Sequence, residues 1–248
     1  RDGRIATVTI DRPSARNAMD RAMWVALRAV MERLSGEDAG VRAVVVRGAG
    51  GTFCAGSDIK EMQGRTTEEA EETFRLVEAA LAAVERVPVP VIAAVNGVAA
   101  GGGCELMLAA DLRIAAPSAR IGMPVARLGI HVSPAFVSRL VRVVGASRAG
   151  DLLLSGRLIG GEEAHLWGLV HALVSEDQVE QEAHRLAERI ARYSPSSLRH
   201  SKRLLKEHGR EAERRGGAGD GSHRFIGSPD EFWEGVSAFL EKREPDFT

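Results

Sequence analysis

Residues 96–106 of this chain, with the sequence NGVAAGGGCEL, place three consecutive glycines directly before a helix-forming segment. The preceding residues 89–95 are apolar and rich in β-branched side chains, which is typical of a buried strand. A strand, a glycine turn and a helix N-terminus direct free backbone N–H groups and partial positive charge to one point. Such a point binds phosphate in some folds and a developing oxyanion in others.

The order of predicted elements favours an α/β fold with mainly parallel strands, because strands and helices alternate through the first part of the chain. From residue 133 onward, helical patterns dominate, at 135–144, 147–154, 177–192, 196–208 and 230–242. We therefore divide the chain into a core over residues 1–190 and a helical lid or oligomerisation region over 191–248. The glycine-rich residues 214–222 predict a loop rather than a helix interior.

Composition excludes several classes of partner. The formal net charge of −1 over 248 residues provides no basic surface for nucleic acid. The sequence contains no long apolar span and no signal-peptide pattern, so we expect no membrane partner. The two cysteines, Cys54 and Cys104, lack metal-binding spacing and are typical of reduced thiols. We expect a cytoplasmic protein without a metal site.

Five motifs together carry a resemblance to a known family, and they span nearly the whole chain in one order. They are residues 10–13 (IDRP) with 16–18 (RNA), residues 53–58 (FCAGSD), residues 96–106, residues 109–115 (AADLRIA), and residues 234–243 (EGVSAFLEKR). One glycine motif alone would be weak evidence, whereas five at matching spacing are specific. The chain resembles the enoyl-CoA hydratase/isomerase (crotonase) family.

That resemblance implies a spiral of ββα units, with a C-terminal helical region that assembles homotrimers or hexamers made of two trimers. It implies an acyl-CoA thioester as ligand, with no cofactor apart from the CoA of the substrate. Its thioester oxygen would lie between the backbone N–H groups of Ser57 and Gly102, with Glu105 as the catalytic residue. The residues expected to contact the acyl group or CoA are Ala55, Gly56, Asp58, Gly101, Val125 and Arg16.

Simpler interpretations exist for several of these residues. The glycines at 101–103 would also permit close packing of a helix on a strand. Glu105 could stabilise a helix N-terminus, and Asp58 could cap the turn after Gly56. His131 is more readily a loop or core histidine than a base, and residues 68–72 are typical of a solvated helix start.

The most informative departure from the family pattern is Val125. Family hydratases use two glutamates that share a water molecule, and the second would follow the proline of residues 121–124 (IGMP), where this chain has Val125. The following residues 129–134 (GIHVSP) contain no acid, and we expect Pro134 and Phe136 to make the pocket wall bulkier. Glu105 is therefore predicted to act as a single carboxylate.

A single carboxylate beside an oxyanion hole suits reactions that need one proton carrier or none. We expect an enzyme that stabilises a thioester enolate, either hydratase-like or isomerase-like. The alternatives are a decarboxylase or thioesterase of the same family, or a catalytically inactive paralogue that only binds acyl-CoA.

Overall fold

The apolar runs of the sequence form strands that are flanked by helices in a computed structural model describing residues 3–36, 40–215 and 223–247. The strands are β1 (Ile5–Ile10), β2 (Ala43–Gly48), β3 (Val91–Val95), β4 (Val98–Ala100), β5 (Leu112–Ala115), β6 (Arg120–Gly122), β7 (Leu158–Gly160) and β8 (Ala172–Leu173). The helices are α1 (Arg21–Leu34), α2 (Thr67–Arg86), α3 (Gly102–Ala109), α4 (Pro134–Ser155), α5 (Gly161–Leu166), α6 (Val179–Ala191), α7 (Pro195–Arg215) and α8 (Pro229–Glu241).

The main sheet is parallel and has the order β1-β2-β3-β5-β8. Its central strands are buried on both faces, because successive side chains of a strand point to opposite sides. Val44 and Val46 of β2 contribute to the larger apolar cluster, which includes residues of α1, α2 and α3. Ala43 and Val45 pack on the other side, in the cluster that contains residues of α6. This burial explains why these strands read as continuous apolar runs.

A second, smaller sheet has the order β4-β6-β7, in which β4 is parallel to β6 and β6 is antiparallel to β7. The chain therefore passes from a strand of the main sheet to a strand of the small sheet and then to a helix, as in β3-β4-α3 and β5-β6-α4. The expected α/β spiral of ββα units is confirmed. The division at residue 190 and the oligomerisation role of the C-terminal helices stay predictions.

Most long helices lie where their apolar periodicity places them. The predicted start of α2 is confirmed by a capping box, in which Thr66 and Glu69 satisfy each other's backbone N–H groups. The two helices predicted at 135–144 and 147–154 form the single element α4, which is broken by Gly145 at φ 78°. Helix α7 extends to Arg215, so residues 214 and 215 of the predicted loop are helical, and residues 216–222 lie outside the described ranges.

Two expectations about side chains are wrong. Glu71 was expected in a solvated helix start, but it is buried and accepts a hydrogen bond from the N–H of Ile226 at 2.8 Å. Phe136 was expected in the pocket wall, but it is fully buried in the main core. Its backbone N–H donates to the N-cap side chain of Ser133, and its ring packs in the larger apolar cluster.

The sequence motif at 53–58 lies directly against the glycine motif. Cys54 donates its N–H to the carbonyl of Val98 at 2.9 Å and accepts from the N–H of Ala100 at 3.1 Å. A Cβ atom at Gly103 would lie 2.0 Å from the carbonyl oxygen of Cys54, which no side chain tolerates. Glycine at 103 is therefore required for the first turn of α3 to pack on this segment.

The C-terminal helix α8 packs back on the core rather than extending from it. It contacts two short 3-10 turns, Ile59–Met62 and Pro124–Leu128. Its residue Phe232 joins Phe74 of α2 and Phe225 in a separate apolar cluster. Helix α8 thus stabilises two segments that border the pocket described below.

None of the helices within residues 3–36, 40–215 and 223–247 has both the length and the apolar character needed to cross a membrane.

We predict that Gly103→Ala destabilises the protein by at least about 1–3 kcal/mol, because the added methyl group would overlap the Cys54 carbonyl. The matched control is Gly150→Ala in α4, where a Cβ atom would meet no other atom within 4 Å. That change should be neutral or stabilise by up to about 1 kcal/mol. Urea denaturation measures both, and equal stability of the two variants would contradict the close contact.

Candidate functional site

A pocket of about 710 Å³ opens between the two glycine-containing segments, helix α2 and the turn Pro124–Leu128. It brings together the residues predicted for catalysis, for the oxyanion hole and for substrate contact, whereas Pro134 and Phe136, which were expected in its wall, do not line it. The lining includes Arg16, Ala55, Gly56, Ser57, Asp58, Gly101, Gly102, Glu105 and Val125. Residues separated by more than 100 positions in the chain therefore share one cavity.

Two backbone N–H groups face this pocket without an assigned partner in the described chain. Met19 bridges to the segment around Ser57 by donating to the Gly56 carbonyl and accepting from the N–H of Asp58, each at 2.8 Å. This pairing directs the N–H of Ser57 away from Met19. Gly102 is the first residue of α3, so its N–H has no intrahelical acceptor.

The residues that carry these two N–H groups are close neighbours. A Cβ atom at Gly56 would lie 3.3 Å from the Gly102 nitrogen, and one at Gly102 would lie 3.5 Å from Ser57 Oγ. Gly101 holds the turn in a conformation with φ 53° and ψ −126°, which a residue with a Cβ atom rarely adopts. The helix N-terminus adds partial positive charge at the same place. The arrangement suits a developing oxyanion.

Val125 lies beside this turn, at the end of the site where the family pattern would place a second glutamate. A Cβ atom at Gly101 would be 3.8 Å from Val125 Cγ1. Valine has no group that carries a proton or binds water. Val125 therefore lines the pocket, as the sequence predicted, and its side chain contributes only apolar surface.

Glu105 projects from the first turn of α3 and is 8% exposed, so its carboxyl group is almost removed from water. Burial and, to a smaller extent, the nearby charge of Glu78 raise the pKa of Glu105 to about 8, although the charge of Arg139 opposes the rise. A carboxyl group with this pKa holds its proton through much of the neutral range. It can therefore donate as well as accept a proton at the pocket wall.

The structure adds a second carboxylate that sequence reasoning missed. Glu78 of α2 lines the same pocket as Glu105. Ser133 Oγ donates to Glu78 Oε1 at 2.5 Å, and Arg139 Nη2 lies 3.8 Å from Oε2. Both contacts hold the Glu78 side chain in one position.

A signal for Glu78 was present in the sequence. It lies four residues after Phe74 and three before Leu81, both of which are buried, so it occupies the inward face of an amphipathic helix. A glutamate on such a face needs a partner or a cavity. Amphipathic periodicity shows only that a glutamate stands on the apolar face. It does not show whether that glutamate has a buried partner or faces a cavity.

Asp58, which also lines the pocket, has structural partners. Asp58 accepts from the N–H of Lys60 at 3.1 Å, which confirms the turn-capping alternative, and it pairs with Arg12 at 2.6 Å. Arg16 lines the pocket in a left-handed conformation with φ 51°. His131 also borders the pocket, is exposed, and donates its backbone N–H to Phe225.

The cysteines are poor candidates for nucleophiles. Cys54 and Cys104 are both free and fully buried. Burial raises the pKa of each thiol to about 12, so the thiolate is scarce at neutral pH. Within the described ranges, no group of three or more His, Cys, Asp or Glu side chains is arranged to hold a metal ion.

Comparisons with known proteins give one consistent result. A family model described as enoyl-CoA hydratase/isomerase matches residues 1–248. The chain is 35% identical over 250 residues to 2,3-dehydroadipyl-CoA hydratase of Escherichia coli (strain K12), covering 100% of this chain and 96% of that protein. It is 35% identical over 254 residues to human enoyl-CoA hydratase domain-containing protein 2, mitochondrial, covering 99% of this chain and 86% of that protein.

A solved structure of an enoyl-CoA hydratase/isomerase from Pseudoalteromonas atlantica T6c is also similar. It matches this chain with a TM-score of 0.83 at 33% identity. The match covers 100% of this chain and 97% of that structure. The resemblance therefore extends over the whole fold and is not confined to the motifs around the pocket.

We predict that the pKa of Glu105 makes the folded state less stable as pH rises. Its folded-state pKa of about 8 exceeds the ordinary 4.5, so the folded protein binds this proton more tightly than the unfolded chain. The resulting stabilisation is complete below about pH 4.5 and is lost as pH rises through about 8. Glu105→Gln removes this contribution, although Glu78 and Arg139 still face the position.

The measurement is the free energy of unfolding of wild type minus that of Glu105→Gln, obtained by urea denaturation at several pH values. This difference should fall from about pH 5 to pH 8, with a slope of at most about 1.4 kcal/mol per pH unit. A difference that stays constant with pH would show that Glu105 titrates normally.

Proposed function

The chain belongs to the enoyl-CoA hydratase/isomerase family, and from this premise we propose that its pocket stabilises the enolate of an acyl-CoA thioester. As a member of this family it is an acyl-CoA-processing enzyme. Enolisation removes a proton next to the thioester carbonyl and transfers negative charge to the carbonyl oxygen. A catalyst for this step needs donors for the oxygen and a carrier for the proton.

The observation that supports the proposal most strongly is the pair of neighbouring N–H groups at Ser57 and Gly102. We assign them to the thioester oxygen. They belong to the main chain and are fixed by the contact of the two segments, so they require no rearrangement as charge develops. Loss of one such donor typically costs about 3–4 kcal/mol of transition-state stabilisation.

Glu105 is the proton carrier in this proposal. It lies one turn along α3 from Gly102, and its carboxyl group lines the pocket. A buried carboxyl group with a pKa raised to about 8 is matched to proton transfer near neutral pH. The reaction class that follows is proton transfer at the carbon next to the thioester carbonyl, as in double-bond isomerisation or hydration.

The remaining pocket residues are assigned to substrate contact. Ala55, Gly56, Gly101 and Val125 offer small or apolar surface against the acyl group and the thioester. Arg16, which lines the pocket, is assigned to the phosphates of CoA, since its guanidinium N–H groups can donate hydrogen bonds to phosphate oxygens. Asp58 acts indirectly, by holding Arg12, which lines the same pocket. The substrate brings the CoA, and no further cofactor is proposed.

We also propose that the protein acts in the cytoplasm as a homotrimer or as a hexamer of two trimers. Support comes from large apolar side chains that this single chain leaves exposed. Leu154 is 89% exposed, Leu166 77% and Leu205 72%. All three lie on helices of the C-terminal half, where an interface between chains would cover them.

We predict that the wild-type enzyme exchanges the α-protons of a saturated acyl-CoA with deuterium from D₂O, and that Glu105→Gln slows this exchange at least about 10²-fold. The amide has nearly the same shape as the carboxyl group but does not carry the proton. Mass spectrometry of the recovered thioester measures the exchange. The matched control is Glu188→Gln on α6, an exposed glutamate that should exchange at the wild-type rate.

The same assay separates the alternative functions. Unsaturated, malonyl-type and saturated CoA thioesters are each incubated with enzyme, and hydration, decarboxylation and thioester hydrolysis appear as distinct mass changes. Binding of thioesters without exchange or any mass change would contradict the proposal and would indicate an inactive acyl-CoA-binding paralogue. Hydrolysis without exchange would instead indicate a thioesterase.

A further inference from the structure

The pocket is lined by two glutamates rather than one, because α2 contributes Glu78 beside Glu105 of α3. We infer that Glu78 takes the place of the carboxylate absent at Val125, so that this site adds water to the double bond of a 2-enoyl-CoA. The inference rests on the proposed enolate chemistry and extends it to a defined reaction. The second carboxylate comes from a different helix and not from the turn Pro124–Leu128.

Glu78 is held in place by residues that are themselves buried. Ser133 is 5% exposed and forms the N-cap of α4, where its Oγ accepts from the N–H of Phe136 at 3.0 Å. The hydroxyl hydrogen of Ser133 is therefore available to Glu78 Oε1, to which it donates at 2.5 Å. Arg139 is 3% exposed and lies beside the other oxygen. These contacts fix the position of the Glu78 side chain in the pocket wall.

The surroundings of the two carboxyl groups give them different roles. Arg139 Nε donates to Glu85 Oε1 at 2.7 Å, and the same guanidinium lies 3.8 Å from Glu78. Glu105 is a third carboxyl group near Arg139. Burial and the charge of Glu78 raise the pKa of Glu105 to about 8, so Glu105 holds a proton that it can donate. Glu78 is held by the Ser133 hydroxyl and lines the same pocket, and we assign it the role of acceptor.

The hydration step follows from these roles. Glu78 accepts a proton from water as the water oxygen forms a bond to the β-carbon of the enoyl-CoA. The carbon–carbon π bond breaks, and its electrons move to the thioester oxygen between Ser57 and Gly102. The enolate then collapses as its α-carbon takes the proton of Glu105. The proton on Glu78 returns to Glu105 through water, so the net reaction consumes one water and no other reagent.

The test compares two reactions in the same variants. The first is exchange of α-protons of butanoyl-CoA with D₂O, which needs Glu105 and the N–H groups. The second is hydration of a short trans-2-enoyl-CoA, which also needs Glu78 and is followed by mass. In Glu78→Gln we expect hydration to fall at least about 10²-fold while exchange stays within about tenfold of wild type. Retained exchange also shows that the variant is folded.

Two further variants separate catalysis from support of the fold. Glu72→Gln changes an exposed glutamate of the same helix and should leave both reactions at the wild-type rate. Glu85→Gln removes the charge of the nearest partner of Arg139 but leaves Glu78 in the pocket, so hydration should fall much less than in Glu78→Gln. Equal loss of hydration in Glu85→Gln and Glu78→Gln would overturn the inference, because Glu78 would then only support the ion-pair network.

The remaining outcomes also decide the question. Wild-type exchange without hydration would overturn the inference and leave the enolate proposal intact. Parallel loss of both reactions in Glu78→Gln would likewise overturn it, since Glu78 would then maintain the pocket rather than activate water. Absence of both reactions in the wild-type enzyme would contradict the enolate proposal and this inference together.

Discussion

The backbone contact between Cys54 and the first turn of α3 determines the geometry of the pocket. Gly103 permits that contact, because any side chain there would overlap the carbonyl of Cys54. The contact brings Ser57 and Gly102 together at a pocket that Glu105 also lines. Because the donors that we propose belong to the main chain, the side chain at position 57 could vary without loss of either N–H group.

The same contact has an electrostatic consequence. It buries Glu105 near Glu78 and Glu85, with Arg139 as the cation among them. Burial of a carboxyl group destabilises its ionised form. Glu105 therefore retains a proton at neutral pH. Burial of Glu105 thereby lowers the stability of the fold at high pH, and in the proposed function it supplies the proton carrier. The stability of the fold and the proposed proton transfer both depend on the buried Glu105.

The sequence predicted the fold well where elements are long and periodic. The α2 helix, its capping box and the central strands β2 and β3 follow directly from local patterns. The strands β4, β6, β7 and β8 contain only two to three residues, which is too few for periodicity to detect. Their existence depends on pairing between distant segments.

For the site, the sequence predicted the residues of one continuous motif and missed a residue whose contacts come from distant segments. The glycine turn and Glu105 were found because their residue types and spacing lie within one continuous motif. Glu78 was missed because its importance depends on Ser133 and Arg139, which lie 55 and 61 positions later and reach it only after α4 packs on the core. Phe136 was misplaced for the same reason, since its burial depends on how α4 packs on the core.

The most direct test of the central claim is the infrared carbonyl stretch of a bound thioester labelled with carbon-13 at the carbonyl. If the N–H groups of Ser57 and Gly102 both donate to this oxygen, the C=O bond is polarised and weakened. The band of the bound thioester should then move to lower frequency than that of the same thioester in water. A band at the aqueous frequency or higher would contradict the oxyanion site.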